Sequence, residues 1–395
     1  MSAISNWRTS PVREFCLDVG TIDPSKTPDR EFAYIDIASI DRVQKRITAP
    51  QTVLGTDAPS RARQLVKEND VLVSTVRPNL NAVAQVPSSL DGQVASTGFC
   101  VLRPNTRKIH PRLVYFWVQT PPFVEGLMTR VRGANYPAVR DVDVLESAFS
   151  TSDDIHEQAR IVELLDQADA LRRQRADADA KLARLTPALF RHHFGDPERN
   201  PNGYATLDFD RTFDDISAGE VKLQTKEFKK AGRVPIIDQG AEQISGYTDD
   251  ISARFTGPTP VIIFGDHTRN FKFVDHDFAI GADGVRVLSA KPEFTPEFLY
   301  WHCRLLVIPS AGYSRHMKFL KAKRFIQPPK PAQETFSRLA KSALEIQTHA
   351  TASAAKLETL FQTLLHRAFT GELTAKWREA HLREGVQEMS RISRP

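Results

Sequence analysis

The sequence predicts an α+β protein: two globular mixed α/β domains separated by two long helices packed as an antiparallel coiled coil, the whole a pseudo-twofold internal repeat. Three observations carry this. First, Ile161, Leu164, Ala168, Leu171, Arg175, Ala178, Leu182, Leu185 and Leu189 follow one another at spacings of three and four, a heptad seam with Arg175 as its charged interruption. Second, at one constant offset the pattern returns as Phe336, Leu339, Ala343, Ile346, Ala350, Ser353, Leu357, Leu360 and Leu364; the same offset carries Gln158 to Gln333 and Phe194 to Phe369. Third, the segments before the two seams share a design, with Tyr115 in LVYFWVQT answering Tyr300 in FLYWHCRLL. The expected boundaries are a first globular domain over 1–152, a long helix over 153–196, a second domain over 197–330, a second long helix over 331–370 and a tail over 371–395.

Each long helix, at about 38 residues, would span roughly 55–60 Å. An apolar seam of that length must be covered, and the simplest cover is the other copy. A whole domain connects the copies, so the sequence leaves their direction open; a duplicated unit returning on itself favours the antiparallel pair. Pro187 stands in the first helix where Gln362 stands in the second. Proline lacks the backbone donor and crowds the preceding turn, so a kink or break is expected near Thr186.

In the first domain, short apolar runs at 32–37, 70–76, 82–86 and 99–102 are divided by Pro, Gly, Asn and Asp, as short strands are. LVYFWVQTPPFVEGL, from Leu113, has the length and apolar density of a buried helix. Two polar loops lie among these elements, VRPNLNAV and TRVRGANYPAVR. Arginine and asparagine make paired hydrogen bonds to guanine and adenine edges, and basic neighbours neutralise phosphate. In loops the same residues also simply solvate turns.

The second domain repeats the plan with a different surface. From Pro258 the sequence reads strand, polar loop, strand, Gly-bounded turn and strand. AGYSRHMKFLKAKRF then crowds Arg315, His316, Lys318, Lys321, Lys323 and Arg324 near Tyr313, with Glu297 and Glu334 the nearest acids in sequence. Nucleic-acid phosphate is favoured over a solvated charged face. Pro328, Pro329 and Pro331 stop the domain before the second long helix. The tail allows one short helix around 375–384, docked on the first domain or frayed.

Composition sets outer bounds. A 41% hydrophobic, 26% charged chain is an ordinary globular one, and its length suits two domains plus the helices. Cys16, Cys100 and Cys303 are scattered and form no CxxC pair, which points to a reducing compartment without a disulfide framework or zinc site. No apolar run approaches a bilayer span and no apolar signal core opens the chain, so a cytoplasmic protein without a membrane partner is expected. The net charge of +5, from 53 basic and 48 acidic side chains, permits a nucleic-acid partner only through local clustering.

Catalytic signatures are missing: there is no GxxxxGK[ST] and no GxGxxG. Thr120-Pro121-Pro122-Phe123 is similar to the Asn/Asp-Pro-Pro-aromatic loop of amino-methyltransferases, but threonine replaces the amide or carboxylate and no FxGxG loop accompanies it, so Pro121-Pro122 reads as a turn. Asp266-His267 and His192-His193 are the best metal-ligand candidates; neither has a third ligand nearby, and adjacent histidines on a helix diverge. No metal site, cofactor site or catalytic residue is expected on this chain.

VLVSTVRPNLNAVA with ASTGFCVLRP, IIFGDHTRNFKFVDHDFAIGADGVRVL with YSRHMKFLK, and the tails HEQARIVELLDQADALRRQR and LLHRAFTGELTAKWR together resemble the DNA-specificity (S) subunit of type I restriction-modification systems. The resemblance covers nearly the whole chain, and the order target domain, long helix, target domain, long helix is its most specific feature. It implies target-recognition domains that each read one half of a split, asymmetric site in double-stranded DNA. It also implies a helix pair that sets the spacing and docks adenine-methyltransferase (M) subunits, usually two, which recruit nuclease-translocase (R) subunits. The S subunit is then noncatalytic, with S-adenosylmethionine on M and ATP with magnesium on R. The expected DNA-binding residues are Arg77, Asn79, Asn81, Arg130, Arg132, Tyr136 and Arg140 for one half-site, and His267, Arg269, Asn270, Lys272, Tyr313, Arg315, His316 and Lys318 for the other. The rival readings are a self-sufficient DNA methyltransferase or nuclease and a coiled-coil protein scaffold.

Overall fold

A computed structural model describes residues 7–133, 137–282, 284–310, 312 and 314–381. The chain divides into two compact units: unit one runs to Arg175 and resumes at Ser353, and unit two is Ala176–Ala352. Helices α1 (Pro111–Trp117), α2 (Pro121–Met128) and α3 (Asp141–Leu145) precede the long helix α4 (Ile155–Phe194); α5 (Pro296–Leu305) and α6 (Met317–Lys321) precede the long helix α7 (Lys330–Phe369). Each long helix therefore gives one half to each unit.

Unit one contains an antiparallel sheet in the order Cys16–Leu17, Phe99–Pro104, Val71–Ser74, Val83–Gln85. A second sheet runs Gln51–Leu54, Glu31–Ile35, Val94–Ser96, Ala62–Leu65, with its two middle strands parallel. Val71 and Val73 face a core shared with α1 and α4, while Leu72 faces the core between the sheets. A strand buried on both faces is apolar at consecutive positions, as Val71, Leu72 and Val73 are.

Unit two reproduces this plan. Its antiparallel sheet runs Phe213–Asp215, Val285–Ala290, Val261–Gly265, Phe271–Val274. Its second sheet runs Lys222–Leu223, Ala279–Gly281, Val234–Ile237, Gly246–Thr248, again with parallel middle strands. In both units a two-stranded pair precedes the long helix, Trp7–Pro11 with Ala148–Ser152 and Thr206–Leu207 with Phe325–Ile326.

Gln158 and Gln333, paired by the sequence offset, are both fully buried and make the same three hydrogen bonds. Gln158 Oε1 accepts from the His110 amide at 2.8 Å, and its Nε2 donates to the carbonyls of Ser152 at 2.8 Å and Lys108 at 3.2 Å. Gln333 Oε1 accepts from the Thr295 amide at 3.0 Å, and its Nε2 donates to Pro328 at 2.8 Å and Glu293 at 3.2 Å. Each glutamine satisfies the chain entering one short helix from the first turn of a long one, a task that demands both an acceptor and two donors.

In unit one, Arg172 on α4 meets Glu358 at 2.9 Å and lies 3.9 Å from the Phe361 ring on α7, while Glu157, earlier on α4, meets Thr374 beyond the end of α7. The two helix segments thus run antiparallel there. In unit two, Phe190 and Phe194 of α4 pack on Phe336 of α7 at 5.3 and 5.6 Å.

Several expectations need correction. Only part of the proposed seam is buried. On α7 the covered positions are Phe336, Ala340, Ala343, Ala350, Phe361, Leu365 and Ala368, whereas Leu339, Ile346 and Leu360 are exposed. On α4, Ile161, Val162, Leu165, Thr186, Phe190 and Phe194 are buried and Leu171 and Leu185 exposed. Close helix contact takes the small alanines and leaves neighbouring larger side chains outside. Pro187 does not break α4, which is continuous from Ile155 to Phe194. The carbonyl four residues before it belongs to Ala183, an exposed position where water can serve the freed acceptor. The run from Leu113 is two helices, not one, and Pro121 opens α2 instead of forming a turn; its missing amide costs nothing in a first helical turn.

The start of the tail is docked. Residues 375–381 are helical, and Glu157, 1% exposed, accepts from Trp7 Nε1 at 3.2 Å, Ser152 Oγ at 2.7 Å, Thr374 Oγ1 at 2.6 Å and the Arg378 guanidinium.

Candidate nucleic-acid interface

In unit one the two polar loops are stitched together by backbone. The Arg77 amide donates to Pro137 at 2.7 Å and the Val139 amide to Thr75 at 2.9 Å, while Arg132 and Ala138 exchange bonds of 2.9 and 3.0 Å. Arg77 and Asn81, at φ 50° and 43°, bracket a single 3-10 turn, Pro78–Leu80. Non-glycine residues persist in the left-handed region only where the surroundings over-determine them, and such strain gathers at binding sites. Arg77, Asn79 and Arg132 are exposed on this surface.

Other candidates in this unit have structural partners. Asn81 is half-buried; its carbonyl accepts from Lys45 Nζ at 2.6 Å. Arg130 donates to the Asp143 carbonyl at 2.6 Å, and Arg140 caps α3 through its amide, 2.9 Å from Asp143 Oδ2. That amide and the Arg140 side chain together hold the Asp143 carboxyl below its ordinary range, against a smaller opposing effect of desolvation. Tyr136 lies outside the described residues.

In unit two the organising residue is Asp266. Its carbonyl accepts from the His316 amide at 2.8 Å and its Oδ1 from the Met317 amide at 2.6 Å, which joins the 266–270 loop to the start of α6. Gln239 supports the same loop: its Oε1 accepts from the His267 amide at 3.1 Å and its carbonyl from Asn270 Nδ2 at 3.1 Å. Gly284, at φ 87°, leaves room for the His267 ring, whose Cδ2 would lie 2.7 Å from any Cβ placed there. Arg269 takes φ 64° and donates to the Ile308 carbonyl at 3.1 Å. Arg269, Arg315 and Lys318 are exposed, His267 and Asn270 half-buried. Tyr313 lies outside the described residues.

Two candidates are not presented to a ligand surface. Lys272 is buried, its ammonium 3.4 Å from Asp238 Oδ1, and burial lowers its pKa. His316 is buried with Nδ1 2.9 Å from the Asp266 carbonyl. Residue type does not report burial, so the sequence does not separate either of them from its exposed neighbours. The basic stretch also has partners that sequence proximity hides: Lys323 pairs with Glu198, and Arg324 donates to the Thr206 carbonyl at 2.7 Å. Sequence reasoning missed Lys45, Gln239 and the anchoring part of Asp266, whose contacts all span long stretches of chain.

The Asp266 carboxylate is taken by the Met317 amide, and among the described residues no group of three His, Cys, Asp or Glu side chains could hold a metal ion. Nor is any described helix long and apolar enough to cross a membrane. What both units offer is an exposed set of arginines and amides on paired loops, carried by one scaffold used twice.

The scaffold used twice with unlike polar loops defines a class of duplicated α+β proteins, and known proteins give that class a more particular setting. The chain is 25% identical over 142 residues to the specificity subunit of the type I restriction enzyme HindI from Haemophilus influenzae. The match covers 35% of this chain and 31% of the relative's length. A chain from a solved structure concerned with complex assembly and conformational transition of the type I R-M system is 24% identical, with a TM-score of 0.57 over 94% of this chain and 100% of the other. The type I restriction-modification S subunit from M. genitalium is 13% identical, with a TM-score of 0.59 over 93% and 98%. No protein-family model matches the chain. The resemblance to type I specificity subunits therefore holds in sequence over one stretch and in fold over nearly the whole chain.

Proposed function

We propose that this chain is the noncatalytic DNA-recognition subunit of a type I restriction-modification complex, each unit reading one half of a bipartite, asymmetric site. The observation that carries the reading is the pairing of one repeated scaffold with two unlike loop surfaces, each including exposed arginine beside a strained left-handed residue. Unlike surfaces suit unlike half-sites. The similarity to a curated specificity subunit supports the same assignment.

In this reading the first half-site is met by Arg77, Asn79 and Arg132, with Asn81, Arg130, Tyr136 and Arg140 supporting or extending the surface. The second is met by Arg269, Arg315 and Lys318, with His267, Asn270 and Tyr313 beside them. Discrimination of about 1–3 kcal/mol per good base contact, over several positions, supplies specificity. Joining two moderate readers makes the second contact intramolecular and raises the affinity of the whole.

The long helices act as an antiparallel coiled-coil spacer and as the dock for two adenine-methyltransferase subunits, through which nuclease-translocase subunits join. Each helix has 40 residues, about 60 Å of rise, and DNA advances about 34 Å per turn, so helix length translates into a fixed number of base pairs. Leu171, Leu185, Leu339, Leu344, Ile346 and Leu360 are exposed on these helices, apolar surface suited to a protein partner. S-adenosylmethionine and ATP with magnesium belong to the partners.

The test is co-expression with an adenine methyltransferase of this class. Co-purification and methylation at a split motif are expected from the complex and not from either protein alone. Methylation by this chain alone, or a complex that binds all duplexes equally, would refute the assignment.

A further inference from the structure

Both units hold a cation-lined cavity at the same place in the fold, beside the edge strand of the antiparallel sheet and next to the helix that follows that sheet. In unit one it measures about 290 Å³ and its walls include Lys45, Arg46, Glu68, Arg112, Tyr115 and Arg173. In unit two it measures about 530 Å³ and is bordered by Arg269, Tyr300 and Arg304, with no carboxylate among its described lining residues; Lys272, also in the wall, is already paired with Asp238. Tyr115 and Tyr300 are each the fifth residue of their helix. The two cavities share their place in the fold and this tyrosine, while their cations come from different positions.

Among the described lining residues of the unit-one cavity, Glu68 is the one carboxylate beside four cations, Lys45, Arg46, Arg112 and Arg173. Lys45 donates to the Asn81 carbonyl, and among the described residues no carboxylate lies within ion-pair distance of it. Burial, followed by repulsion from Arg172, pushes its pKa down to about 8; Arg42 adds to this, while Glu358 and Asp41 oppose it. Arg112 is satisfied by Asp166 at 2.9 Å and Gln85 at 3.1 Å. Arg173 spends its Nη2 on Asp169 at 2.7 Å and Tyr115 at 3.3 Å, but its Nε is buried with no acceptor. A buried N–H without an acceptor is costly unless something supplies one.

We propose that these cavities are phosphate-binding sites, the one in unit one holding the group between Lys45, Arg46 and Arg173. A tetrahedral oxyanion accepts from an ammonium and from guanidinium N–H groups together. A DNA backbone and free phosphate share this chemistry. The DNA source rests on the function proposed above; the free-phosphate source does not.

Calorimetric titration of the full chain with inorganic phosphate, in dilute chloride buffer near pH 7, tests it. Saturable binding is expected, weakened at least tenfold by Lys45→Met and by Arg173→Gln, with Arg304→Gln removing the unit-two component; melting curves check that each variant is folded. Displacement of phosphate by duplex DNA identifies the backbone as the ligand, and Lys45→Met should then flatten the salt dependence of duplex binding by about 0.9 in log–log slope. Duplex binding that leaves phosphate in place identifies free phosphate instead. Phosphate binding without any duplex binding keeps the cavities and removes the DNA-reading function. Phosphate binding untouched by the variants, or no phosphate binding together with an unchanged salt slope, overturns the proposal.

Discussion

Arg315, in a loop, and Lys272, in the edge strand Phe271–Val274, carry the same charge in one unit, yet substituting them should have opposite kinds of effect. Arg315 is exposed, so Arg315→Ala should leave folding intact, weaken duplex binding and lower the salt slope by about 0.9 if the guanidinium meets a phosphate. Unchanged binding to a cognate duplex removes it from the interface. Lys272→Ala instead removes a buried cation from Asp238, which keeps the Gly240 amide and the Ser245 hydroxyl, and should cost about 1.5–3 kcal/mol of unit-two stability in urea titrations. His302 offers a third test. It is fully buried, its Nε2 accepts from the Ile326 amide at 3.2 Å, and burial pushes its pKa from 6.5 to about 3. The folded form stays neutral while the unfolded chain takes up a proton, so stability is complete above about pH 6.5 and falls as pH drops toward 3. Linkage gives a loss of about 2 kcal/mol between pH 7 and 5. His302→Gln, which keeps an acceptor, should show a smaller loss over that interval; an identical pH profile would mean that His302 is not the group responsible.

At the scale of elements, duplication was legible because Gln158 and Gln333 stand at matching positions, and their identical hydrogen bonds explain why glutamine serves at both. The seam was legible only in part. Phe336, Ala343 and Ala350 belong to the seam read from the sequence and are buried, whereas Leu339, Ile346 and Leu360, read into the same seam, are exposed, and Ala340 is buried outside it. Pro187 misled for a related reason: a proline rule written for a lone helix ignores the packing that holds α4 on either side of it. Docking of the tail was beyond sequence reasoning, since Glu157 gathers Trp7, Ser152, Thr374 and Arg378 from four separate stretches. Removing that carboxylate takes the shared acceptor from Trp7, Ser152, Thr374 and the half-buried Arg378 guanidinium together. Glu157→Ala should therefore destabilise unit one by about 3–5 kcal/mol and release residues 375–381 to proteolysis. A protease pattern and denaturation midpoint like those of the parent protein would show that the tail is held by other means.

For the whole molecule, the alternation of sheet-rich segment and long helix could be read from periodicity and punctuation, since burial imposes both on the sequence. Which polar residues face outward could not, because Lys272 and His316 differ from Arg269 and Arg315 only in what the fold places around them. The account's central claim is that two separate readers each specify one half of a split site. Mapping methylated adenines in cells carrying this chain with its methyltransferase, before and after residues 200–330 are replaced by those of a homologue, tests it most directly. One interrupted motif is expected, and the replacement should change one half of it while the other half and the gap stay the same. A contiguous motif, or a replacement that alters both halves together, would contradict the account.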